Sequence, residues 1–170
     1  MQKNRKNKIT KTTVPEGFSV SLALVDLVPV IFFGLSAIRI GSLFSSTLFM
    51  LGAAICLVSG VVKVLWKLIA ALSRKNIWPM FVQMRIFMPV GFLILLAALI
   101  VGRSGLSGRA ILSGLTSFPA CIFFILGALG MVMMTVFAFR LDSSDPKANW
   151  LEQGVNGIAQ ACFFVGLMLV

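Results

Sequence analysis

Glu152, Asn156 and Gln160 recur every four residues inside a largely apolar segment, so a helix there carries all three on one face. Carboxyl and amide groups are costly to place in hydrocarbon, and such a stripe has to meet protein, water or a ligand. Asp26 poses the same problem more sharply. It lies about eight residues into the first apolar run, roughly 12 Å along a helix that rises about 1.5 Å per residue. A carboxylate at that depth is paired, hydrated or protonated. Pro29 follows three residues later and has no N–H, which leaves the carbonyl of Val25 without its helical donor. An acid beside a freed backbone acceptor suits a cation or a proton, and it equally suits a structural bond to a neighbouring helix.

Other familiar chemistry is missing. The chain has no His, which removes the commonest metal ligand and the usual general base of neutral pH. It has no Cys-x-x-Cys, no Gly-x-Ser-x-Gly, no phosphate-binding glycine loop and no His-Glu-x-x-His. Cys56, Cys121 and Cys162 sit apart in apolar runs and read as small core residues. Asp142 and Asp145 flank Ser143-Ser144, but two carboxylates make a weak cation site, and no metal or other cofactor is expected.

The elements that position these residues are membrane spans. Of 170 residues, 59% are hydrophobic and 12% charged, with mean hydropathy +1.02. A soluble domain of this length has too little interior for that much apolar surface. Spans of about twenty apolar residues are expected at 18–38, 43–65, 86–102, 118–139 and 150–170. The second is expected to continue as helix through Ala71, the third to enter from Pro79, and the fifth to start at Pro146 behind an Asp145 cap. The fold class is therefore all-α, a polytopic integral membrane bundle of five helices. Residues 1–16 form a basic, mobile tail and 17–170 one membrane domain.

Charge sets the orientation. Lys3, Arg5, Lys6, Lys8, Lys11, Lys63, Lys67, Arg74, Lys75, Arg85, Arg140 and Lys147 fall on one side of the five spans. Only Arg39, Arg103 and Arg109 fall on the other. The positive-inside rule puts the N-terminus in the cytoplasm and the C-terminus outside, in a bacterial plasma membrane. The net charge of +10 thus reads as contact with anionic lipid headgroups, not nucleic acid. Lys63, Lys67 and Arg74 lie near one face of the second helix and are expected to snorkel to lipid phosphates, as are Arg103 and Arg109 in the outer connection. Trp66, Trp78 and Trp150 close spans at the cytoplasmic interface.

In this orientation Glu152, Asn156 and Gln160 descend from the cytoplasmic face, and Asp26 lies at about the depth of Gln160. Arg85 enters the third span from the same side. Asp26, Arg85, Glu152, Asn156 and Gln160 are therefore the candidate ligand-binding residues, in the inner half of the bundle. Small residues mark helix contacts: Gly52, Cys56 and Gly60 in the second span, Gly157, Ala161, Cys162 and Gly166 in the fifth. Gly127 and Gly130 would loosen the fourth span, beside an adaptable surface of Met131, Met133 and Met134.

The one-sided polar set favours a small transport or ligand-binding protein, acting as a homo-oligomer or as a subunit of a larger complex. An accessory, regulatory or immunity-type protein that works through helix–helix contacts is the alternative. A lipid-acting enzyme using Asp26 or Glu152 as acid or base is a third reading, weakened by the missing His. The orientation is directly testable. A reporter active only outside the cell gives signal when fused after Val170 and none when inserted after Lys75; the opposite pattern inverts the assignment.

Overall fold

The computed structural model describes residues 18–44, 46–101, 113–141 and 145–170. The basic tail, with Arg103, Arg109, Asp142 and Ser144, lies outside the described residues. Five long helices account for most of the rest: α1 Val20–Phe44, α2 Thr47–Ser73, α3 Trp78–Val101, α4 Ala120–Arg140 and α5 Pro146–Met168. No strand occurs among the described residues. Helices α1 to α4 each contain a stretch long and apolar enough to cross a membrane, which marks a membrane protein. Helix α5 falls short of that measure because Asn149, Glu152, Gln153, Asn156 and Gln160 crowd its first four turns.

The helix limits depart from the sequence expectation at the α1–α2 junction and follow it closely elsewhere. Helix α1 runs on to Phe44, six residues past the expected end, so α2 begins at Thr47 and not at 43. Ser46 caps α2 by accepting a hydrogen bond from the Phe49 amide at 3.3 Å. At its other end α2 extends to Ser73 and stops at Arg74, whose φ of 54° is left-handed. Helix α3 starts at Trp78, one residue before the expected entry at Pro79, because Pro79 is tolerated in a first turn where no amide donor is needed. Helix α5 begins at Pro146, with the Asp145 carboxylate accepting from the Lys147 amide at 3.1 Å.

The helices pack in the series α3–α2–α1–α5–α4. Helix α1 is central, flanked by α2 and α5, while α3 and α4 stand at the two ends. Small residues set the close approaches. Gly52 of α2 and Gly91 of α3 face one another so tightly that a Cβ on Gly52 would lie 2.9 Å from the Gly91 carbonyl oxygen. Cys56 extends this seam and donates its thiol to the Met88 carbonyl at 3.7 Å. Gly60 turns to the other side and packs on Val30 of α1. In α4 the glycines expected to loosen the helix are sockets instead: Phe163 of α5 fills the space over Gly127, and Ala159 that over Gly130. Phe124 of α4 returns the contact over Gly166.

Two apolar clusters sit at opposite ends of α2. One joins Ala37, Phe49, Ala53, Cys56, Leu95 and Ala98. The other joins Phe18, Leu22, Trp66 and Ala70. Trp66 is 2% exposed, so it serves as core and not as a lipid-interface anchor. Its ring meets Phe18 edge-on at 5.4 Å and Phe81 at 4.9 Å, and its indole N–H donates to Asn76 Oδ1 at 2.9 Å.

The Gly52–Gly91 contact leaves no room for a side chain. Gly52→Leu is expected to destabilise the protein by about 1–3 kcal/mol through overpacking, whereas Leu51→Ala on the exposed side of the same turn changes little. Unfolding in detergent, followed by circular dichroism, measures both.

A buried charge cluster between two cavities

Asp26 is 1% exposed and faces α2. Lys63 and Lys67, one helical turn apart, approach it from that helix: Lys63 Nζ lies 3.2 Å from Oδ1 and Lys67 Nζ 2.9 Å from Oδ2. Both carboxylate oxygens thus hold an ammonium. The lysines expected at lipid phosphates turn inward, because a buried carboxylate offers a stronger partner than water-screened headgroups. Lys67 is 4% exposed, and its ammonium also stands 5.7 Å from the centre of the Phe18 ring. Arg74, the third residue of that expected face, ends α2 in an exposed position.

One carboxylate between two ammonium groups leaves one positive charge in excess. Glu152 of α5 is close enough to act electrostatically on Lys67. It forms no ion pair among the described residues.

The five candidate ligand residues divide between two cavities on either side of this cluster. A deep cavity of about 270 Å³ has Asp26, Pro29, Lys63, Asn156 and Gln160 in its wall, completed by apolar side chains such as Phe33, Met88, Phe92 and Met131. All five helices contribute to it. A second cavity of about 220 Å³ lies toward the α2–α3 turn and is lined by Lys63, Lys67, Arg85, Glu152 and Gln153 with the rings of Phe18, Trp66 and Phe81. Lys63 borders both. The structure therefore joins Asp26 with Asn156 and Gln160, and Arg85 with Glu152, but does not bring all five together.

Hydrogen bonding separates the roles further. Gln160 reaches only the Met131 sulfur, at 3.8 Å, and Asn156 has no side-chain bond to another described residue. Beyond that sulfur contact, Asn156 and Gln160 make no side-chain hydrogen bond to another helix among the described residues. The α2–α3 pair carries such a bond elsewhere: Ser59 Oγ donates to Gln83 Oε1 at 3.1 Å, and Gln83 Nε2 donates back to the Ser59 carbonyl at 3.1 Å. Arg85 is exposed, its guanidinium 5.0 Å from the Phe81 ring centre. Toward the C-terminal end of α1, Arg39 is half-buried, and its Nε has no partner among the described residues.

Gln153 escaped the sequence reading. It is 2% exposed, among the most buried large side chains, and its Oε1 accepts no hydrogen bond among the described residues. Asn149, Gln153 and Gly157 repeat every four residues, as Glu152, Asn156 and Gln160 do, and they form the buried face of α5. The second spacing was present in the sequence and marks the face beside the first.

Comparison of the chain with protein-family models, with curated proteins and with solved structures gives no match.

Removing one member of a buried ion cluster strands the others. Asp26→Asn is expected to cost about 3–5 kcal/mol, because Lys67 is left buried beside Lys63. Asp26→Leu combined with Lys67→Met recovers part of that loss. Thermal unfolding of the single and double variants checks both outcomes.

Proposed function

We propose that the protein binds a small solute in the deep cavity at Asp26, Asn156 and Gln160 and takes part in its passage across the membrane. In this reading α5 is the fifth span, the N-terminus is cytoplasmic and the C-terminus is outside. Helix α5 is 23 residues long, about 34 Å at about 1.5 Å per residue, enough to span although its inner half is polar. Its polar residues lie on the side of a helix that packs between α1 and α4, where lipid does not reach them all.

One observation carries the proposal: two amides, Asn156 and Gln160, line a cavity and find almost no protein partner. Burying amides without partners is costly, and a bound polar group repays that cost. The second cavity adds to the argument. Lys63 borders both chambers, so the Asp26–Lys63–Lys67 cluster forms a charged septum between them. A solute moving between the chambers displaces or carries part of that charge. The same arrangement suits a lone oligomer or a subunit of a larger complex.

Asn156 and Gln160 are half-buried, so leucine is tolerated better there than at Asp26. Native mass spectrometry of the protein purified from its own membrane is expected to show a retained small molecule. The Asn156→Leu/Gln160→Leu variant loses it while its thermal unfolding is unchanged. Equal retention by the variant, or no retained molecule in the wild type, overturns the proposal.

A further inference from the structure

We propose that the second cavity, ringed by α2, α3 and α5, recognises a zwitterionic head that joins a phosphate to a primary ammonium. The site shares only Lys63 with the deep cavity, and its test uses neither Asn156 nor Gln160, so its failure is distinguishable from failure of the solute-binding reading. Three features of its wall point to this chemistry.

First, it presents opposite charges that are not consumed by each other. Arg85 makes no ion pair among the described residues, and neither does Glu152. Both line the same 220 Å³ space. A ligand with one anionic and one cationic end satisfies both. Second, the cationic side is the richer. Lys63 and Lys67 add two ammonium groups to Arg85, and Asp26 neutralises only one of them. With Glu152 counted the wall keeps a net positive charge, which favours a phosphate as the anionic end. Third, Gln153 is one of the residues that line the cavity, and its buried Oε1 has no donor among the described residues. An amide oxygen only accepts, so its partner must carry N–H or O–H. A primary ammonium supplies N–H to Gln153 and charge to Glu152; a quaternary ammonium supplies charge alone.

Simpler ligands fit less well. A bare phosphate meets the cations but feels repulsion from Glu152 and has no cationic end to place there. A bare cation meets Glu152 and Gln153 but opposes the positive excess. The rings of Phe18, Trp66 and Phe81 give the remaining wall an apolar surface suited to the carbon linker between the two charges.

The same head occurs free, as phosphoethanolamine, and on a phospholipid. Calorimetric titration of the full-length protein in detergent with phosphoethanolamine, phosphocholine and inorganic phosphate tests the free form. Native mass spectrometry from nanodiscs containing equal phosphatidylethanolamine and phosphatidylcholine tests the lipid form. The ethanolamine compound is expected to bind about tenfold more tightly than its choline counterpart in one of these arms, and which arm identifies the source. In that arm Glu152→Gln and Arg85→Gln each weaken binding by about tenfold. These positions are half-buried and exposed, and unchanged thermal unfolding confirms that the variants fold. No ethanolamine preference in either arm overturns the proposal. So does a Glu152→Gln variant that binds inorganic phosphate more tightly while losing nothing for phosphoethanolamine, since that behaviour belongs to a plain anion site.

Discussion

A single carboxylate held between two ammonium groups in the interior is the constraint on which the arrangement of helices depends. Asp26 fixes where along α2 the first helix must sit, because Lys63 and Lys67 are one turn apart and grip one oxygen each. A slip of one residue in either helix would rotate a charge by about 100° toward lipid. Such a cluster need not add net stability, since desolvating three charges offsets much of their attraction. Its contribution is to make every other register of α1 on α2 worse. Gly60 against Val30 and Trp66 under Phe18 then pack at that register and no other.

The same cluster explains why polar residues of α5 divide as they do. Asn149 and Gln153 are buried and still reach the wall of the second cavity beside Lys67, whereas Asn156 and Gln160 are half-buried and line the other one. Two stripes offset by one residue thus run along one helix. Glu152, at the head of the half-buried stripe, shares the second cavity with the buried one. Met131 of α4, against Gln160, and Phe163 of α5, seated over Gly127, close the α4 side of this arrangement with flexible and aromatic bulk.

Much of this was legible in the amino-acid sequence, and the limits have physical reasons. The long apolar runs revealed five helices, and the Asp145-Pro146 cap located the start of the last. Asp26 stood out by depth alone. Its partners did not, because a lysine stem spans several carbon atoms and reaches inward or toward headgroups from the same Cα. Trp66 was misread for a related reason: an indole near a span end looks the same whether it faces lipid or the Phe18 and Phe81 rings. Gly127 and Gly130 suggested looseness because the residues that fill their sockets lie more than twenty positions away. The end of α1 at Phe44 was missed because Arg39 breaks the apolar run while the helix continues through it.

The order of helices in space differs from their order in the chain, and this bears on how the protein is made. Helix α1 precedes the other four but meets one of its two neighbours, α5, only after the three helices between them have been synthesised. Its acid is neutralised early, as soon as α2 delivers Lys63 and Lys67. The opposite flank of α1 waits exposed. Helix α5, the least apolar of the five, then arrives with a docking surface already assembled, and Gly157 slides against Val28 and Pro29. The most polar of the five helices is thereby received by a partner that precedes it by three helices in the chain.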